Sequence, residues 1–301
     1  MSGRGPGEAH NGGPAAGELL PRGFFAESSL EVAPRLLGCV LEHETGEGLV
    51  AVMLTEVEAY DGAADPASHA YRGRTGRNAV MFGEPGHAYV YFTYGMHFCV
   101  NMVCQPEGTA SAVLLRAGRV IDGIPLATAR RAAGRDAAGR AAGRRGQSSD
   151  PGSGLGGPGG SDGLSGSGGL RGSAGLRGSD GPGRSAGMTA AGVASPAVER
   201  ELARGPARLC QALAIDRSLD GADVCDPRSP LRIRPAPKAG PGQPVPDVSR
   251  GPRVGISAAA DRPWRFWLTG DPTVSAYRPY ARRARAKVIS PPPGGDGTMP
   301  R

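Results

Sequence analysis

The stretch Y-V-Y-F-T-Y-G-M-H-F-C-V-N, Tyr89 to Asn101, reads as two β-strands hinged at a Tyr-Gly tip. Extended backbone sends successive side chains to opposite faces, and β-branched and aromatic residues fit such a pleated surface. Gly95 frees the backbone for the reversal between Ala88–Tyr94 and Met96–Cys104. This hairpin belongs to a β-rich block. Cys39–Glu42 and Leu49–Tyr60 read as strands joined through the polar turn Glu44–Gly48, and Ala112–Arg116 as a further strand.

Helix signals flank the block. Ser28-Ser29-Leu30-Glu31 has the S-x-x-E form of a capping box, which predicts a short helix through Leu36–Leu37 ended by Gly38. Asp122 is placed to cap a helix through Leu126–Ala133. Ser195 as N-cap and Pro196 at the first helical position open another, carrying Val198 and Leu202. Gly205-Pro206 leads into an amphipathic one with Leu209, Leu213 and Ile215. Pro235 to Pro252 is loop-like, and Val254–Ile256 and Trp264–Leu268 read as closing strands.

Fifty glycines and 28 prolines in 301 residues are unevenly spread, so much of the chain need not fold. From Gly134 to Ser195 the composition collapses to Gly, Ser, Ala and Arg, with G-L-R-G-S at Gly169–Ser173 and again at Gly175–Ser179. Such a segment cannot bury enough apolar surface to offset its ordering entropy. The expected organisation is a disordered tail over 1–17, one domain made of 18–133 and 196–281, a disordered Gly/Ser/Arg-rich insertion over 134–195, and a flexible tail over 282–301. The expected fold class is α+β: a single domain with a curved, mainly antiparallel sheet, a protruding β-hairpin and flanking helices.

The formal charge of +7 fits a polyanionic partner, although many arginines lie in the Gly-rich stretch, where solvation explains them equally well. Five cysteines, odd in number and without a C-x-x-C pair, read as reduced thiols. The five histidines show no zinc-ligand spacing with them, so no metal or other cofactor is expected. Met1 to Gly17 lacks the apolar core of a signal peptide, and no stretch reaches the length of a membrane span. The expected location is cytoplasmic, at the nucleoid in a bacterium, with no secretion and no membrane partner.

Chemistry concentrates in two places. V-E-A-Y at Val57–Tyr60 supplies one acid, Glu58, and five of the seven tyrosines (Tyr60, Tyr71, Tyr89, Tyr91, Tyr94) fall between positions 60 and 94. Stacking platforms beside a lone carboxylate suit an enzyme that holds a flat ring and breaks one bond to it. Alternation along Leu49–Tyr60 puts Val50, Val52 and Leu54 on one face, and Glu56, Glu58 and Tyr60 continue that parity. An acid in line with the core face is costly unless something uses it. A bulge or strand end turning Glu58 out to solvent is the alternative.

Together these pieces resemble the alkyladenine (3-methyladenine) DNA glycosylase family. The matching strings are T-E-V-E-A-Y at Thr55–Tyr60, A-S-H at Ala67–His69, R-N at Arg77–Asn78, M-F at Met81–Phe82, Tyr89–Asn101, and V-L-L-R-A at Val113–Ala117. Downstream, Gly205–Ile215 and R-V-G-I at Arg253–Ile256 are similar to the family's later motifs. The resemblance implies an enzyme that flips a damaged purine from duplex DNA and hydrolyses its N-glycosidic bond. Glu58 would be the general base activating water, and Arg116 would help hold that water and a nearby phosphate. Tyr60 and His69 would line one face of the flipped base and Tyr91 the other. Asn101 would discriminate among purines, and Tyr94 would insert into the minor groove. The implied partner is damaged double-stranded DNA, bound by a monomer. The only lysines, Lys238 and Lys287, lie outside the matched motifs, which argues for a monofunctional enzyme rather than a Schiff-base lyase. His97 departs from the family, standing where an aromatic is common. Two other classes remain: a catalytically silent module binding distorted duplexes, and an enzyme acting on sugars or free nucleosides.

Overall fold

The computed structural model describes residues 18–93, 96–146, 195–237 and 246–281, with backbone only over 137–146. The expectations for the tails, for Tyr94 and Gly95, and for most of the Gly-rich stretch lie outside these residues.

Helix α1 (Arg22–Phe25) leads into α2 (Ser29–Leu36). The capping box is formed: Ser28 Oγ accepts the Glu31 N–H, and the Glu31 carboxylate accepts the Ser28 N–H. Loss of such a cap costs about 1 kcal/mol. Gly38, at φ 82°, turns the chain out of the helix, a conformation glycine adopts without a Cβ penalty. Strand β1 (Val40–Thr45) then pairs antiparallel with β2 (Gly48–Tyr60).

The remaining strands are β3 (Ala88–Thr93), β4 (His97–Cys104), β5 (Ser111–Asp122), β6 (Leu231–Arg234), β7 (Val248–Gly251) and β8 (Arg265–Leu268). They form one eight-stranded sheet in the order β3-β4-β5-β2-β1-β6, with β8 pairing β2 and β7 pairing β8, and every named pairing is antiparallel. The sheet is curled, and its fold is a single α+β domain. The long strand β2 organises it. One of its edges carries β5, while the other carries β1 up to Met53 and β8 over Glu56–Glu58. The register shifts around Glu56 fall where that edge changes partner.

These bulges correct the alternation read from the sequence. Before them Val50, Val52 and Leu54 enter the main core; after them Val57 and Ala59 do, so Glu58 and Tyr60 turn to the opposite face. Glu58 is fully buried there, so the bulge does not deliver it to solvent. The other strands show the same two-sidedness. Val90, Val100, Met102, Val113 and Leu115 pack with α2 and with α5 (Pro206–Leu213), whereas Tyr89, Val103 and Ala112 form a second cluster with Ala70 and Met81 beneath the loop after β2.

Three further differences have local causes. Asp122 is the last residue of β5, and its carboxylate accepts the Gly123 N–H rather than capping from the N-cap position. The helix α3 that follows runs from Ile124 to Gly146, beyond Ala133 and into the range expected to be insertion, because Ala and Arg favour helix enough to carry it past Gly134. Val254–Ile256 is a bend, and the strand in that region is β7, inside the stretch read as a loop. Ser195 and Pro196 do open a helix, α4 (Pro196–Glu201).

Candidate active site

A cavity of about 250 Å³ opens against the sheet, with Pro206 at the start of α5 on its rim. Strand alternation builds its walls: Tyr89 and Tyr91 from β3, Cys99 and Asn101 from β4, Leu114 and Arg116 from β5, and Tyr60 from the end of β2. The loop after β2 adds Ala67, His69 and Met81, and the bend after β7 adds Val254, Gly255 and Ile256.

The loop is held by its own side chains. Gly62 begins it at φ 45°, where an added Cβ would lie 1.9 Å from the Ala110 carbonyl oxygen. Asn78, buried, donates to the carbonyls of His69 (2.9 Å) and Gly73 (3.0 Å). Asp65 Oδ1 accepts the Ala67 N–H at 3.1 Å. His69 is thereby fixed against the aromatic wall, its Nδ1 3.1 Å from the Tyr89 hydroxyl and its ring edge-on to Tyr91 at 4.5 Å. Burial, with Arg77 adding to it, pushes the imidazole below its ordinary value, so His69 is neutral at pH 7. Tyr89 and Tyr91 are stacked with centroids 5.5 Å apart.

The acids are fully buried and line no part of the cavity. Glu58 Oε2 accepts the Tyr60 hydroxyl at 2.8 Å, and Oε1 accepts the backbone N–H of Val254 at 2.7 Å. Arg116 Nη1 stands 3.3 Å from Oε1 of Glu58, while its Nε donates to Glu56 at 2.7 Å. Arg116 Nη2 faces Ser275 Oγ at 3.4 Å, so all three guanidinium nitrogens meet protein atoms. Glu56 also accepts from Arg265 Nε (2.8 Å) and the Ser275 N–H (2.7 Å). Burial opposes charge on Glu56, but Arg116, Arg265 and Ser275 outweigh it and hold the carboxyl below its usual range. Burial likewise opposes charge on Arg116, and the two carboxylates outweigh it and raise its value. The Tyr60 phenol is pushed far up, first by burial and then by Glu58, so it stays a donor to that carboxylate.

The arrangement holds a buried carboxylate, oriented by Tyr60, Val254 and Arg116, behind the wall of an aromatic slot that these three residues line. Among the described residues no group of three or more His, Cys, Asp or Glu could hold a metal. The sequence matches the model of the methylpurine-DNA glycosylase family over residues 23–149 and 183–272. The chain belongs to that family. It is thus one of the DNA glycosylases for alkylated bases, and damaged DNA is its partner. The break in the match, over 150–182, falls inside the Gly-rich stretch. Three proteins with the provisional name 3-methyladenine DNA glycosylase show the similarity along nearly the whole length. The Streptomyces avermitilis protein is 43% identical over 274 residues, covering 88% of this chain and 95% of its own. That of Leifsonia xyli subsp. xyli is 42% identical, with 85% and 92% covered. A Mycobacterium tuberculosis protein is 40% identical, with 86% and 94% covered.

The structure brings Tyr60, His69, Tyr91, Asn101 and Arg116 around one cavity, whereas Glu58 is fully buried behind the wall and is tied to it through Tyr60, Val254 and Arg116. Asn101 is fixed there by donating to the Tyr89 carbonyl at 3.2 Å. Tyr94 lies outside the described residues, although its described neighbours Phe92 and Met96 are exposed. Tyr71, counted in the aromatic cluster, is half-exposed and lines no part of the cavity. The sequence reading missed Tyr89 as a wall, Val254 as a donor, and Glu56 as the second carboxylate on Arg116. Tyr89 shares the parity of Tyr91, a signal that was available. Val254 acts through its backbone, which no side-chain pattern reports.

Proposed function

We propose that this family member is a monofunctional glycosylase that flips an alkylated or deaminated purine, 3-methyladenine or hypoxanthine, from duplex DNA and hydrolyses its N-glycosidic bond. The observation that carries the reading is the Glu58 carboxylate, buried and held by Val254 and Tyr60, two residues that line the aromatic cavity. A flipped base enters the slot lined by Tyr60, His69 and Tyr91; because the His69 and Tyr91 rings touch edge to face at 4.5 Å, the base lies against those two together and not between them. N-alkylated purines are electron-poor and often cationic, and aromatic faces attract a cation by about 0.5–2 kcal/mol. The neutral His69 adds no opposing charge.

Glu58 acts as general base on the attacking water and stabilises the positive charge developing on the sugar. One carboxylate suffices for a cationic alkylpurine, which leaves without being protonated, whereas glycoside hydrolases generally use two. Arg116 orients Glu58 and shares its charge with Glu56. Asn101 discriminates among purines by opposing the exocyclic amine of guanine. Tyr94, which follows β3 in the sequence, fills the space the base leaves. Neither lysine lies in a matched motif, which favours hydrolysis without strand cleavage. The enzyme works as a cytoplasmic monomer; among the described residues, no helix is long and apolar enough to cross a membrane.

The test is single-turnover base release from duplexes carrying one alkylated purine or one hypoxanthine, with products scored before and after alkali. The expected result is release with strand breaks only after alkali. Breaks without alkali would overturn the monofunctional reading, activity on free nucleosides would favour a nucleoside hydrolase, and binding without release would favour a silent DNA-binding module.

A further inference from the structure

Behind Tyr60, away from the cavity, lies a buried ion pair that the reaction as described does not use. Arg253 and Asp65 are both fully buried at their side chains. Arg253 Nη1 is 2.5 Å from Asp65 Oδ2 and Nη2 is 2.8 Å from Oδ1, and Nη1 also donates to the Ala59 carbonyl at 3.0 Å. The guanidinium lies over the Tyr60 ring at 4.6 Å and over Trp264 at 5.1 Å. Arg253 does not reach the cavity; Tyr60 does. The ring is therefore a partition between a fixed cation and the base site.

A cation on one face of an aromatic ring draws on the same negative quadrupole that its other face offers to a ligand. In a buried setting this opposition is poorly screened. Left alone, Arg253 would make Tyr60 a poor wall for a cationic base. Asp65 lies bidentate on that guanidinium, and its charge cancels the effect at the site where the ring is shared.

We propose that Asp65 is a specificity-determining residue: by neutralising Arg253 behind Tyr60, it lets the cavity prefer cationic over neutral flipped bases. The proposal rests on the reading of Tyr60 as a base-binding wall. It assigns Asp65 no contact with the substrate. Two other features share the pair: Asp65 also holds the turn that presents His69, and Arg253 precedes the Val254 N–H that binds Glu58. A purely structural role through these would weaken all bases alike, so only the ratio between bases reports the charge effect.

The experiment compares duplex affinities in a Glu58→Gln background, where bound base is not released. One duplex carries 7-methylguanine, which is cationic, and the other its neutral 7-deaza-7-methyl isostere. The parent prefers the cation. Asp65→Asn reduces that preference by about three- to tenfold, the scale of one cation–π contact. Adding Arg253→Gln, which removes the uncovered charge, restores it. An equal loss of affinity for both duplexes, or a ratio that the double variant leaves shifted, overturns the proposal, as does a parent with no preference. If Asp65→Asn fails to fold by circular dichroism, the uncharged double variant is read against the parent: a kept preference supports the proposal, and a lost one overturns it. Release of 7-methylguanine by the wild type is followed alongside. Its absence would sink the glycosylase reading, whereas its presence with an unmoved ratio sinks only the role of Asp65.

Discussion

Oε1 of Glu58 accepts the backbone N–H of Val254 at 2.7 Å, across 196 positions of sequence. The Tyr60 hydroxyl takes the other oxygen at 2.8 Å. A carboxylate held at both oxygens has a fixed direction, and general-base catalysis depends on that direction as much as on basicity.

Removing one restraint tests this. Tyr60→Phe keeps the ring against the base and deletes only the hydroxyl. A hydrogen bond to a charged group is worth about 1.5–3 kcal/mol, so the single-turnover rate should fall by about tenfold or more, with duplex affinity little changed. Rate and affinity falling together would show that the hydroxyl serves base binding instead.

Glu56 links site chemistry to stability. Its folded-state value is lowered from the ordinary 4.5, so between that lowered value and 4.5 the unfolded chain binds the extra proton. The stabilisation from charged Glu56 is complete above about pH 4.5 and is lost as pH falls through the lowered value. Glu56→Gln should cost about 3–5 kcal/mol at pH 7, since it removes a buried partner from Arg116 and Arg265. Thermal melts at pH 7 and below 4.5 should show the variant's deficit shrinking in acid. A deficit independent of pH would contradict the charge argument.

Gly62 is a steric prediction. With φ at 45° and the Ala110 carbonyl 1.9 Å from where a Cβ would stand, Gly62→Ala must displace the loop that carries His69. The expected cost is about 2–4 kcal/mol in urea melts, with base affinity falling as well. A variant as stable as the parent would mean that the loop moves freely, against the Asn78 bonds that tie it.

Much of this was legible in the sequence where one residue's side chain decides one local structure. The capping box at Ser28, the turn at Gly38 and the strands on either side of the hairpin tip are of that kind, and the structure shows them. What failed had a tertiary cause. Alternation along β2 breaks because β1 ends and β8 replaces it near Glu56, an event set by residues about 210 positions away. Val254–Ile256 looks like a strand by composition, but Val254 is drawn to Glu58 and Arg253 to Asp65, which bend the chain. The candidate residues were placed in one cavity through the family resemblance; single-strand patterns alone could not join β2, β3, β4 and β5. The ring of supporting charges (Glu56, Asp65, Arg253, Arg265) has no signature in any one segment.

Whether Glu58 performs the chemistry is decided by Glu58→Gln, because the amide keeps the shape and removes the charge. The measurement is the single-turnover rate of base release from a duplex with one alkylated purine, beside the affinity for the same duplex. Release should be lost almost completely while DNA binding is kept. Release at close to the wild-type rate would contradict it and leave the buried carboxylate without a catalytic role.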